Sequence, residues 1–268
     1  MGCRSNIYIR KDWTLIGRMR FIKNYPVLFL EEIKALVIAD LHIGISYELY
    51  RSGINIPSQV KEMKKTIIEL INQIKAKVLV LLGDVKHDVP GISIQEMREI
   101  PKFLEELSKR IKVEIVLGNH DTFLKELLPE RKLHSSKGFK IGKFGFNHGH
   151  TWPSKELLKC DYLITSHIHP TIQFEDKFGY RILEPVWIKS KIDQKKIKEK
   201  YKIKKTGKLE VVIMPAFNRL LGGVPVNVKK MSNELLGPLL KNNFIDMDNA
   251  EIYLLDGTYL GKLKSLLN

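Results

Sequence analysis

The tightest constraint on the fold is a series of short apolar runs separated by stretches of helical length. Ala35-Leu36-Val37-Ile38-Ala39, Val78-Leu79-Val80-Leu81-Leu82 and the segment from Val113 to Leu117 are each strand-sized. A strand that is apolar on consecutive residues must be covered on both faces, unlike the alternating strand of a half-exposed sheet. Between these runs the period changes to that of a helix. Within 57–74, Val60, Met63, Ile67, Leu70, Ile71 and Ile74 fall on one face, and 94–111 is amphipathic in the same way. A short helix is expected from about Thr122 to Leu128, ended by Pro129. Strands alternating with helices indicate a layered α/β architecture.

Further along, Phe139, Ile141, Phe144 and Phe146 alternate as in one half-buried strand over 138–147. A short helix is expected over 154–159, and further strands over 162–165, 208–214 and 251–255. The texture changes near Tyr180. From Lys189 to Lys208 there are ten lysines against Asp193 and Glu199, which reads as a charged helix or a loose insertion with a solvated face. The expected organisation is therefore a core over 1–180 and an accessory region over 181–268. The second part holds the Lys-rich segment 189–208 and a Pro/Gly-bearing segment, 214–228.

Totals exclude several classes. No apolar run approaches the roughly 20 residues that span a bilayer, and Met1 to Asn6 lack a secretory leader pattern. A soluble, cytoplasmic chain is expected. Cys3 and Cys160 cannot form a disulfide framework in 268 residues and read as reduced, structural thiols. The formal net charge of +15 favours polyanionic or phosphorylated partners, although lysines also serve only to solubilise.

Chemistry-bearing residues collect where strands end. Asp40-Leu41-His42 follows the first run, Gly83-Asp84-Val85-Lys86-His87 the second, and Gly118-Asn119-His120-Asp121 the third. His148-Gly149-His150 follows the Phe-rich segment, and His167-Ile168-His169 follows the strand ending at Thr165. Ligands of α/β sheets gather outside the carboxyl ends of strands. Carboxylate, carboxamide and imidazole together suit Mn²⁺, Fe or Zn²⁺, with no thiolate nearby. The set exceeds the needs of one ion, as in centres where one carboxylate bridges two ions about 4 Å apart.

Order and spacing from Asp40 to His169 resemble the calcineurin-like metallophosphoesterases, with their DxH, GDxx[DHN], GNH[DE], H and GHxH elements. Met214-Pro215-Ala216-Phe217-Asn218 and Leu221-Gly222-Gly223-Val224-Pro225-Val226-Asn227 are similar to the C-terminal signature of the ICC-like group, which includes ligase-associated DNA damage response endonucleases. The resemblance implies a β-sandwich flanked by helices with a C-terminal accessory region. It implies two divalent ions, Mn²⁺ first, with Fe, Zn²⁺ or Ni²⁺ as other occupants. Asp40, His42 and His169 would bind one; Asn119, His148 and His167 the other; Asp84 would bridge them. His120 would protonate the leaving oxygen or stabilise the phosphoryl group, with Asp121 orienting its ring. A metal-bridging hydroxide would then attack phosphorus.

Some positions stay open. His150 could replace His148 as ligand, and His87 and His150 could instead contact substrate. Ser166 stands where the family has Gly, which questions the local turn. Trp152 and Trp187 could stack on bases near the site, packing being the ordinary alternative. The expected activity is phosphodiester hydrolysis, on nucleic acid given the charge, with a small phosphorylated metabolite or cyclic nucleotide as the alternative. A non-catalytic metal-binding scaffold is the third reading.

Overall fold

The computed structural model describes residues 13–16, 19–228 and 237–267; Met1 to Asn6, with Cys3, lie outside them. The chain forms two sheets. The first has strands β1 (Trp13–Ile16), β2 (Met19–Ile22), β3 (Leu28–Leu30), β4 (Ala35–Ile38), β5 (Val78–Leu82), β6 (Lys112–Val116) and β7 (Leu133–His134), in that spatial order. The first three pairings are antiparallel and β4 to β7 run parallel. Helices α1 (Ile45–Arg51), α2 (Val60–Ile74), α3 (Ile94–Ser108) and α4 (Leu124–Leu127) fill the crossovers.

The second sheet contains β8 (Phe139–Ile141), β9 (Phe144–Phe146), β10 (Tyr162–Thr165), β11 (Pro170–Glu175), β12 (Arg181–Lys191), β13 (Glu210–Ile213) and β14 (Val224–Pro225). Its order is β14-β11-β12-β13-β10-β9-β8, and β15 (Glu251–Leu254) pairs with β12 and with β16 (Tyr259–Lys262). Helices α5 (Gln194–Tyr201) and α6 (Pro238–Lys241) lie along this part of the chain. The expected division at residue 180 falls in the turn between β11 and β12, whose strands pair antiparallel. Beyond it, β12 and β13 occupy the middle of the sheet.

Burial explains the doubly apolar strands. In β4, Ala35 and Val37 face the space between the sheets, while Leu36 and Ile38 face α2 and α3. In β5, Val80 and Leu82 point inward, and Leu79 and Leu81 pack with Ile67, Leu70, Ile100 and Leu104. On the opposite sheet, Ile164, Val212 and Met214 enter the inter-sheet core; Leu163, Val211 and Ile213 pack on the outer side. The result is a β-sandwich flanked by helices, as the resemblance implied.

One local expectation changes and two open readings are resolved. The Phe-rich segment is a hairpin of β8 and β9, because Gly142 takes φ +58 and turns the chain back. The Lys-rich stretch is the end of β12 followed by α5, capped by Asp193, whose side chain accepts from Lys195 N and Lys196 N. Trp187 is not a stacking residue at the site: it is fully buried between the sheets and lies flat on Phe21, centroids 4.2 Å apart. Trp152 packs against Phe244 and carries Lys200 Nζ 3.7 Å from its ring centre. Cys160 is buried and free. No helix among the described residues is long and apolar enough to cross a membrane.

Candidate metal centre

The strand ends bring their polar residues together, but from two sheets rather than one. Asp40 and His42 follow β4, Asp84 follows β5, and Asn119 and His120 follow β6; His148 follows β9, while His167 and His169 follow β10. Asp40, His42, Asp84, His167 and His169 all have left-handed backbone, with φ from 41 to 75. That conformation costs an L residue on the order of 1–2 kcal/mol and persists where surrounding contacts over-determine it. Five such residues in one cluster mark a place where side-chain direction outweighs backbone comfort.

Two candidate donor sets share Asp84. Donor atoms of Asp40, His42, Asp84 and His169 lie within 4.8 Å of one another, as do those of Asp84, His148 and His167. Asn119 Oδ1 is 3.3 Å from His148 Nε2, so it borders the second set. Asp84 Oδ2 stands 3.4 Å from His42 Nε2 and 3.2 Å from His148 Nε2. Its other oxygen accepts from His120 N at 2.9 Å. Gly118 is needed for this approach, since a Cβ there would lie 2.0 Å from Asp84 Oδ1.

A divalent ion fits this donor set. Both Asp40 oxygens, His42 Nε2 and His169 Nε2 are buried without a hydrogen-bond partner, a cost of roughly 1–3 kcal/mol per group that a cation removes. The tautomers agree. His148 Nδ1 meets the Leu82 carbonyl at 2.9 Å, and His169 Nδ1 meets the Gly222 carbonyl at 3.2 Å. Each ring therefore donates through Nδ1, which leaves Nε2 as the atom that would meet an ion once its own proton is shed. His42, His87 and His120 form a third close trio, with no carboxylate among its members.

Electrostatics hold the cluster in mixed charge states. Burial opposes ionisation of Asp84, but the imidazoles of His148 and His42 hold its carboxyl far below the usual range. For Asp40 the burial penalty is likewise outweighed, by His169 and His148. Burial also works against the charged form of His148, yet Asp84 and Asp40 raise it to about 9. His167 is pushed down to about 3 and His150 to about 4, by burial and by the charge of His148.

Around the sets, several expectations are revised. Asp121 does not orient the His120 ring. Its oxygens accept from Val85 N at 2.8 Å, Lys86 N at 3.1 Å and Gly118 N at 2.7 Å, tying two ligand loops together. Burial, then the Asp84 charge, raise its carboxyl to about 6. The His120 ring is set instead by the His87 carbonyl, 2.6 Å from Nδ1. His87 has no ring nitrogen left for substrate, because Nδ1 is 3.0 Å from His42 Nδ1 and Nε2 pairs with Glu48. His150 sits beside His148 and His167, ring centres 5.2 and 5.8 Å away, with Nδ1 buried and unpartnered. Ser166 is not in the left-handed region and needs no Gly; its hydroxyl lies 3.1 Å from His148 Nδ1.

Glu96 was not singled out from sequence. It is fully buried, caps α3 with Ser93, and accepts from the His87 and Asp88 amides at 2.7 Å each. The only sequence signal was Ser93-x-x-Glu96, which announces a helix start and not a loop clamp.

Comparison with known proteins places this geometry. A profile described as calcineurin-like phosphoesterase matches residues 33–214, well over half the chain. The crystal structure of nuclease MPE from Pseudomonas putida shares the fold at TM-score 0.56 and 16% identity, covering 91% of this chain and 97% of its own. Yfce, a phosphoesterase from E. coli, matches at TM-score 0.36 and 21% identity over 53% of this chain and 73% of its own. No curated protein matches.

Proposed function

The chain belongs to the calcineurin-like phosphoesterase family and is a metal-dependent hydrolase, and from that premise we propose that it cleaves phosphodiester bonds, in nucleic acid, at a two-ion centre. The observation that carries the reading is the pair of donor sets joined at Asp84. Asp40, His42 and His169 would hold one ion, Asn119, His148 and His167 the other, and Asp84 both. Divalent ions there supply positive charge at the phosphoryl oxygens and acidify a water to a nucleophile; Mn²⁺ suits imidazole mixed with carboxylate.

The protein's own contribution is placement. His120 is fixed through Nδ1 by the His87 carbonyl, which leaves Nε2 as the ring atom that would face a leaving oxygen and, in the imidazolium form, would give it a proton. Asp121 locks the loops after β5 and β6 in register. His150, on the edge of the second set, would meet a phosphoryl oxygen. The net charge of +15 supports a polyanionic substrate. The nuclease activity named for the P. putida protein is in keeping with this reading.

The test uses purified protein with Mn²⁺ against bis-p-nitrophenyl phosphate, p-nitrophenyl phosphate and labelled single-stranded DNA. Hydrolysis of the diester and the DNA is expected, with DNA binding falling steeply as salt rises. Turnover of the monoester alone would overturn the diester reading. A flat salt response would remove the nucleic-acid part.

A further inference from the structure

The segment just past the family-matched region makes contacts that the hydrolytic reading does not use. Residues 215–223 leave β13 and cross the sandwich from one ligand loop to the other. At the first-sheet end, Phe217 N donates to the Ala39 carbonyl at 2.9 Å and Asn218 N to the Asp40 carbonyl at 3.3 Å. The Asn218 side chain donates through Nδ2 to the Leu41 carbonyl at 2.8 Å. At the second-sheet end, the Gly222 carbonyl receives His169 Nδ1 at 3.2 Å, and Val224 N donates to the His169 carbonyl at 3.1 Å. The backbone passes so close that a Cβ on Gly223 would lie 2.3 Å from the His169 oxygen.

We propose that residues 215–223 are a positioning strap for the Asp40–His42–His169 set, and that Asn218 is the residue that fixes its geometry. The inference rests on the metal-centre reading. Every contact of the strap with a ligand loop described above falls on that set. His148, by contrast, is held from the Leu82 carbonyl and Ser166.

The chemistry of position 218 is narrow. Asn218 is 3% exposed and must donate to Leu41 O while its own Oδ1 accepts from Leu220 N at 3.0 Å. A carboxamide of this length does both; a carboxylate of the same shape has no donor. Leu41 lies between Asp40 and His42, each in left-handed backbone, φ 56 and 41. Releasing its carbonyl removes a contact that helps hold two unfavourable residues in place, so both side chains lose their aim. Asn218 is thus a positioning residue and need not touch substrate.

The experiment is calorimetric titration of the metal-stripped protein with Mn²⁺, alongside its melting temperature. Wild type is expected to show two binding events. Asn218→Asp should weaken one event about 10–100-fold, the scale set by loss of a group that orients a ligand, and leave the other within about threefold. Gly223→Ala, which presses on the same set from the His169 side, should weaken the same event, and it decides the matter if Asn218→Asp does not fold. Arg181→Ala, an exposed residue of β12 paired with Glu175 at 2.9 Å and outside the strap, should leave both unchanged. Two unaltered events in Asn218→Asp and Gly223→Ala, with or without a lower melting temperature, would overturn the strap while the two-ion reading stands. Absence of any Mn²⁺ binding in the wild type would instead remove the two-ion reading beneath it.

Discussion

The two ligand sets are built alike in residue type and unlike in surroundings. The Asp40–His42–His169 set is the more enclosed: Asp40 and His42 are buried to 2% exposure or less, His169 is half-buried, and the Asp40–His42 loop is held from outside the matched region. The Asn119–His148–His167 set is anchored by fully buried His148 at one end and opens to solvent at exposed Asn119. Both lean on Asp84. Rigid burial on one side and an open face on the other is what a centre needs if one ion is to stay and the other is to meet incoming substrate. The difference also separates structural support from chemistry, because His120 stands on the open side's loop yet belongs to neither set.

Removing the shared residue should have the largest effect. Asp84→Ala is expected to abolish both binding events and to lower kcat/KM about a thousandfold or more, given the charge it contributes to both sets; retention of either event would break the idea of a shared carboxylate. Next comes His120→Gln. Its kcat should fall about 10²–10⁴-fold, the range for losing a proton donor, while Mn²⁺ titration stays as in wild type. A matching loss of metal would make His120 a ligand and not an acid.

The sets themselves are compared by His169→Ala and His167→Ala. Each should lose one event, but chelator applied to wild type should strip the open set first. His167→Ala therefore keeps an ion that leaves slowly, and His169→Ala keeps one that leaves fast. Equal release rates would erase the comparison. The smallest effect concerns protons. In metal-stripped protein His148 is held at about 9 and His169 is raised as well, so each set must shed a proton to bind. Affinity should rise from pH 6.5 to 8.5, by at most about tenfold per unit for one proton released. The same raised value stabilises the stripped fold below the unfolded pKa and is lost as pH climbs through about 9. Affinity that falls with pH would contradict those charge states.

Much of this was legible beforehand because the signal is local. Apolar runs of five residues fixed β4 and β5, and the polar residues at their ends named the cluster. What escaped depends on contacts distant in sequence. Nothing in Asp121 shows that its carboxylate is consumed by the amides of Val85 and Gly118. His87 looked free until Glu48, on α1, was placed against it. Trp187, close in sequence to Lys-rich residues, sits flat on Phe21 from the other sheet. Asn218 lies 177 positions from the carbonyl it holds, and only the folded sandwich brings the two together. Gly142 was readable as a turn, but the alternation of phenylalanines on both sides of it also suits a single strand.

Metal content per chain, measured by inductively coupled plasma mass spectrometry after Mn²⁺ loading and desalting, tests the central claim most directly when wild type is set beside Asp84→Ala. Two ions per wild-type chain, and less than one in a folded Asp84→Ala, is the result expected of two sets joined at a single carboxylate. One ion in wild type, or one or more in the folded variant, would contradict it.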